Sequence, residues 1–208
     1  MNAIGQWLED ACYAFLALNF LWGMYCVIVL WRRVKQLRFE NEEAETEFVA
    51  ELQGHLSRKD WEAANELCDY DFRAVPRLTM LILANRELEF TQLRQLITSR
   101  LQREILNDLE QRLSWVVTVI KGGPLLGLFG TVMGMMAAFG RIGTGEKVQP
   151  SQIAEDISIA LICTAMGLLT AIPLGYVLSA LSNRVRALQE SMGASLTKIL
   201  ESFRPRGK

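Results

Sequence analysis

Three stretches of the chain carry no charged residue: residues 11–31, 122–140 and 157–183. Each has about the twenty residues that a helix rising 1.5 Å per residue needs to cross a hydrocarbon core about 30 Å thick. They predict three membrane-spanning helices. The segment between the first two is charged and reads as helical. Residues 34–56 are rich in Glu, Ala, Leu and Gln, with Leu37, Glu40, Ala44, Glu47, Phe48 and Glu51 forming a mixed, mostly solvated face. The stretch SRKDWEAANELCDY opens with a turn and predicts a helix capped by Ser57 or Asp60. Pro76 fits the first turn of another helix. From 78 to 113, Leu88, Leu93, Leu96, Leu101, Ile105, Leu109 and Leu113 recur without glycine or proline. This predicts one unbroken helix running past Lys121 into the second span.

The second span, KGGPLLGLFGTVMGMMAAFG from Lys121, is apolar yet rich in glycine. Gly127, Thr131, Gly134 and Ala138 fall at steps of four, three and four, so they share one helix face. Ala160, Thr164, Gly167 and Ala171 repeat the steps in the third span, and Gly175 continues the line. Two readings follow. Small residues let helices pack closely in lipid, with hydroxyls bonding across the contact. Alternatively, the stripes line a narrow lumen in which the threonines are the polar contacts. A helix threonine can also bond its own backbone carbonyl. No span holds an ionisable residue at mid-depth: Lys121 stands at the inner edge of the second, Glu155 and Asp156 at the outer edge of the third. An ion path usually carries such a group. If protons cross here, the carboxylate comes from another polypeptide.

Charge placement supplies an orientation. Glu9 and Asp10 precede the first run, with no basic leader and no small-residue cleavage site, which argues against a signal peptide. Arg32, Arg33, Lys35 and Arg38 follow the first run, and Arg184 and Arg186 follow the third. Basic residues mark the inner side, so the N-terminus is expected outside. The expected order is a short outer N-terminus (1–10), spans at 11–31, 115–140 and 156–183, an inner helical region (32–114), an outer loop (141–155) and an inner tail (184–208). The loop carries Arg141 and Lys147 against Glu146, Glu155 and Asp156. The ten leading residues suggest no added outer domain.

The remaining composition is quiet. The chain of 208 residues is 50% hydrophobic with a net charge of −1. Cys12, Cys26, Cys68 and Cys163 have no metal spacing and read as small packing residues, and His55 reads as a solvated surface position. The charged helices read as solvated faces. No nucleophile–base pair, metal spacing or phosphate loop points to an enzyme. Balanced charge gives no nucleic-acid footprint.

The motif GPLLGLFGTVMGMMAAF resembles the second-span signature of the MotA/TolQ/ExbB proton-channel family, and ISIALICTAMGLLTAIP resembles its third-span signature. KDWEAANELC and LEQRLSWVVTVIKGGPLLG are similar to ExbB and TolQ members, so the resemblance covers residues 50–183. It implies an all-α membrane protein with three transmembrane helices and long helices extending into the cytoplasm, assembling as a pentameric ring in the bacterial inner membrane. It further implies a dimeric single-span partner of the ExbD/TolR/MotB type, whose membrane aspartate carries H+ or Na+ without any cofactor. The ion-motive force would then drive mechanical work on the envelope. On the matching positions, Thr131 and Thr164 become the lumen threonines, and Pro124 the proline tied to coupling. Gly127, Gly130, Gly134, Ala160, Gly167, Ala171 and Pro173 serve coupling and helix packing. Two positions depart from the pattern. Ile159 stands where ExbB-type members carry a glutamate, an acid also absent from some motor branches such as MotA, and Lys121 stands where many relatives have a small residue. A non-conducting scaffold of the same fold, holding a single-span partner, is the alternative. The resemblance leaves the powered process open among outer-membrane transport, envelope constriction, flagellar rotation, gliding and secretion.

Overall fold

The computed structural model describes residues 2–143 and 149–203. All elements among the described residues are helices: α1 (Asn2–Leu37), α2 (Glu42–Ser57), α3 (Trp61–Cys68), α4 (Ala74–Ala84), α5 (Phe90–Arg100), a π turn (Leu101–Leu106), α6 (Asn107–Gly143) and α7 (Pro150–Glu201). Three of the helical stretches are long and apolar enough to cross a membrane. The chain divides into two units. The first is Met1–Val29 with Arg112–Ala180, and the second is Leu30–Gln111 with Leu181–Lys208.

The first unit holds the second uncharged run and all but the last two or three residues of the first and third. Its helices meet where side chains are smallest. A Cβ added at Gly23 of α1 would lie 2.7 Å from Val119 Cγ1 and 3.0 Å from Leu174 Cδ1, so α1, α6 and α7 converge there. They converge again at Gly130, where a Cβ would meet Cys163 Cβ at 2.8 Å and Cys12 Sγ at 3.1 Å. Large apolar side chains point the other way: Leu125, Phe129, Leu161, Leu169 and Ile172 are exposed. In a helix bundle built for lipid, that is the expected inversion of a soluble core.

The second unit has an ordinary buried core of Leu30, Leu52, Ile82, Leu93, Ile97, Leu109, Leu181, Met192 and Ile199. Here the sequence expectations need three corrections. Residues 34–56 do not form one helix. The chain breaks at 38–41, where Phe39 turns inward (5% exposed) and packs on Phe48 at 5.4 Å. The buried face of α2 is Glu45, Val49, Leu52 and Leu56, while of the expected mixed, mostly solvated face Glu47 and Glu51 are exposed and Ala44 and Phe48 half-buried. Nor does a helix run unbroken from residue 78. α4 ends at Asn85, whose side-chain Nδ2 donates to Leu81 O at 2.9 Å, and the helix restarts at Phe90. From Phe90 to Gly143 the helix is continuous, as expected for its second half. The third correction concerns residues 184–201, assigned to a tail. They continue α7, with Val185, Leu188, Met192, Leu196 and Ile199 buried at helical spacing.

Other expectations hold. Asp60 caps α3 through Ala63 N, while Ser57 bonds Gly54 O instead. Pro76 sits in the first turn of α4. The expected loop 141–155 is an exception, since its residues 141–143 and 150–155 are helical; Glu146 and Lys147 lie outside the described residues.

The π turn has a readable cause. Leu93, Ile97, Ile105 and Leu109 are buried and spaced in multiples of four, with Leu101 half-buried between them. In an α-helix each step of four drifts about 40° around the axis, so the four steps from 93 to 109 would drift about 160°. A π turn accommodates one extra residue and takes back about 100° of that. The irregular turn keeps an every-fourth apolar stripe on one side.

Candidate ion-pathway site

Both threonine-bearing stripes lie in the first unit and turn toward each other. Gly127, Gly134, Ala160, Gly167 and Ala171 are all buried. A Cβ at Gly127 would stand 2.8 Å from Cys163 O and 2.9 Å from Thr164 Cα. One at Gly134 would stand 2.6 Å from Ala160 Cβ, and one at Gly167 would stand 2.6 Å from Gly123 O. The glycines therefore occupy the α6–α7 contact. They let the two backbones approach to a distance no alanine would permit. Gly130 points to another face, at Cys163 and Cys12, and Gly175 has no atom within 4 Å. Pro124 and Pro173 lie inside α6 and α7, Pro124 half-buried and Pro173 exposed. Each removes one backbone N–H from its helix ladder.

This close approach brings the two hydroxyls together. Thr164 Oγ1 donates to Gly127 O across the contact at 2.9 Å, and Thr131 Oγ1 donates to Leu128 O on its own helix at 2.7 Å. The two oxygens are 3.5 Å apart, and both residues are half-buried. A hydroxyl has one proton and two lone pairs. With each proton directed to a carbonyl, the pair offers lone pairs to whatever approaches. Such a pair can accept the O–H of a neutral carboxylic acid or coordinate a small cation. An ionised carboxylate would have to draw one of these protons away from its backbone carbonyl.

A second polar feature lies on the Thr164 face of α7. Asp156 is eight residues earlier, about 12 Å along the axis. It is 8% exposed and its Oδ2 stands 3.1 Å from Arg141 Nη1. That oxygen has no aligned hydrogen bond among the described residues, so the contact is coulombic rather than directional. The sequence reading placed Asp156 at the outer edge without a partner. The usable signal was the pair of opposite charges flanking the gap between the second and third uncharged runs. Lys121 is exposed, and Ile159 is half-buried with its carbonyl 3.5 Å from Tyr13 Oη.

The second unit holds a buried carboxylate that the pattern did not single out. Glu45, 7% exposed, accepts hydrogen bonds from Ser191 and from Ser195, the latter at 2.6 Å. Two serines spaced one turn apart on α7 were the available signal. The same unit contains Cys68, whose thiol is pushed up to about 12 by burial first and by Asp71 second, which makes it inert. Among the described residues no group of three His, Cys, Asp or Glu side chains could hold a metal ion, and the four cysteines are unbridged.

Against known proteins, residues 72–194 match the model of the MotA/TolQ/ExbB proton channel family. The Tol-Pal system protein TolQ of Haemophilus influenzae is 40% identical over 93 residues, covering 45% of this chain and 40% of the relative. A putative biopolymer transport protein, ExbB-like 2, of Helicobacter pylori is 39% identical over 72 residues, covering 35% and 48%. The biopolymer transport protein ExbB of Aquifex aeolicus is 37% identical over 79 residues, covering 38% and 53%. The chain thus spans about half the length of the curated relatives it matches. The family match covers more than half of the chain and contains both threonine stripes, and the chain belongs to the MotA/TolQ/ExbB proton channel family.

Proposed function

We propose that this chain is the channel and stator subunit of an inner-membrane motor, which couples proton or sodium motive force to work on the cell envelope through a single-span partner of the ExbD/TolR/MotB type. The observation that carries the reading is the Thr131–Thr164 pair, two acceptor oxygens 3.5 Å apart in spans that lack any acid at mid-depth. In this reading the partner brings the carboxyl group. When neutral, its O–H donates to the hydroxyl pair. When ionised, it must compete with Leu128 O and Gly127 O for the hydroxyl protons, and is held less readily. Hydrogen bonds between helices in membranes are worth about 0.6 kcal/mol on average and at most about 1.7. One charge crossing 100 mV supplies about 2.3 kcal/mol. The site is therefore weak enough for the ion gradient to empty it.

The working assembly would be a pentamer of this chain around a dimer of the partner. The N-terminus would face the periplasm and the C-terminus the cytoplasm, as the basic residues after the first and third spans favour. The transported species is H+ or Na+, with no bound cofactor. Ile159 in place of the acid of ExbB-type relatives argues against a TonB-linked role. The competing reading, a non-conducting scaffold of the same fold, needs no membrane acid in its partner.

The test is ion flux in proteoliposomes containing the chain and its co-purified partner. Thr131→Val and Thr164→Val should abolish flux while the complex keeps its subunit masses in native mass spectrometry, and Thr164→Ser should retain flux. Normal flux in both valine variants would sink the hydroxyl-pair mechanism. A companion without a membrane carboxylate would favour the scaffold.

A further inference from the structure

The second unit contains a cavity of about 630 Å³, within the size range of small-molecule sites. Four cations line it, Lys35, Arg38, Arg73 and Arg184, against a single carboxylate, Glu40. Two of the guanidiniums lie over aromatic rings that also line the cavity: Arg184 Cζ is 4.3 Å from the Trp31 ring centroid and Arg73 Cζ 4.4 Å from that of Phe39. A guanidinium placed in this way keeps its N–H edges for an oxyanion. Arg73 shares part of its charge with Asp71 at 3.6 Å. Lys35, Arg38 and Arg184 form no ion pair among the described residues. The cavity therefore gathers more positive charge than its own carboxylates neutralise, on a partly apolar wall.

Its place in the chain adds a second constraint. Trp31 closes the first uncharged run, and Arg184 directly follows the third. The backbone between α1 and α2 opens here: the Arg38 N–H still donates to Val34 O at 3.2 Å, and residues 39–41 lie outside any helix. Basic pockets at the ends of spans suit phosphate head groups, and planar arginine forks suit phosphate oxygens in pairs.

We propose that this cavity binds a phosphate ester, the chemistry shared by an anionic phospholipid head group and a small soluble phosphate compound. The binding is separate from ion conduction, and its test uses no ion flux. Hydrogen exchange at the amides of residues 35–41 is followed in three preparations of the protein with its partner. These are nanodiscs of phosphatidylcholine alone, nanodiscs with added phosphatidylglycerol, and phosphatidylcholine nanodiscs with glycerol 3-phosphate in solution. Slowed exchange with phosphatidylglycerol only assigns a lipid head group. Slowed exchange with glycerol 3-phosphate assigns a soluble ester. Unchanged exchange in both overturns the proposal. The double variant Lys35→Gln, Arg38→Gln leaves both ring contacts in place and should weaken the binding by about thirtyfold, at about five- to sixfold for each charge removed. Protection that survives in that variant at the same ligand concentration also overturns it.

Discussion

Replacing Gly127 with alanine tests the close contact on which the hydroxyl pair depends. The added methyl would lie 2.8 Å from Cys163 O and 2.9 Å from Thr164 Cα, whereas ordinary contacts begin at 3.4 Å. The shortfall to Cys163 O, 3.4 minus 2.8, is 0.6 Å, and both obstacles are backbone, so no rotamer change relieves it. The helices must separate. Overpacking costs about 1–3 kcal/mol, and backbone obstruction puts this site at the upper end. Alanine returns about 1 kcal/mol of helix propensity. The net expectation is a loss of about 2 kcal/mol, or a fall of about 4–8 °C in Tm for a chain of this length. The comparison variant is Gly193→Ala, also within α7 but with nothing within 4 Å of its added Cβ. It should gain up to about 1 kcal/mol. Thermal unfolding in mild detergent, followed by tryptophan fluorescence, reads both. Separation of the helices should also stretch the Thr164–Gly127 hydrogen bond of 2.9 Å and reduce ion flux. Adding Gly167→Ala should cost less than the sum of the two singles, because either one opens the same contact. A Gly127→Ala protein that melts at or above Gly193→Ala would refute the close-contact argument.

Other consequences are open to simpler measurements. Glu45→Ala strips the partner from two serine hydroxyls in a buried setting and should cost about 1–3 kcal/mol in thermal or denaturant unfolding. Glu45→Gln, which keeps an acceptor, should cost less, and equal losses would argue against the hydrogen-bonded reading. Cys68 rises from 9.0 to about 12 on folding, so the folded state holds the proton more tightly. Its contribution to stability is full below pH 9, falls between pH 9 and about 12, and is gone above that. Mass-spectrometric mapping of maleimide adducts at pH 8 should find Cys68 about a thousandfold slower in folded than in unfolded protein, three units of pKa expressed as a rate. Comparable rates would contradict its burial. Asp60→Ala removes the cap on α3 and should cost about 1 kcal/mol, read as a lower Tm.

The three spans were legible because charge is excluded from lipid so strongly that its absence over twenty residues carries the signal alone. The faces were legible as well, since the four-three-four spacing put Thr131 with Gly127, and Thr164 with Gly167. Which face met which was not, because helical periodicity gives a direction around one axis and says nothing of its neighbour. Hence the Thr164–Gly127 bond and the 3.5 Å hydroxyl pair needed coordinates. The breaks at 38–41 and 85–89 escaped for a different reason. They contain neither glycine nor proline, and they are made by Phe39 turning into a core and by Asn85 doubling back on Leu81 O. The continuation of α7 to Glu201 was in the pattern, where Val185, Leu188, Met192 and Ile199 keep helical spacing through the segment assigned as a tail.

The π turn at Leu101–Leu106 has a consequence for how the chain can change in length. A deletion in a helix normally rotates everything on one side of it by about 100° relative to the other. Removing exposed Gln95, for instance, would swing Leu93 away from the stripe formed by Ile97, Ile105 and Leu109. Removing exposed Gln102 would instead convert the π turn into regular α-helix and leave those side chains in line, since the turn already holds one residue more than the α count requires. That turn is where the long helix tolerates a one-codon loss. Orthologues that differ there by a single residue would keep the same buried face, and an aligner's gap at this position would mark conserved geometry.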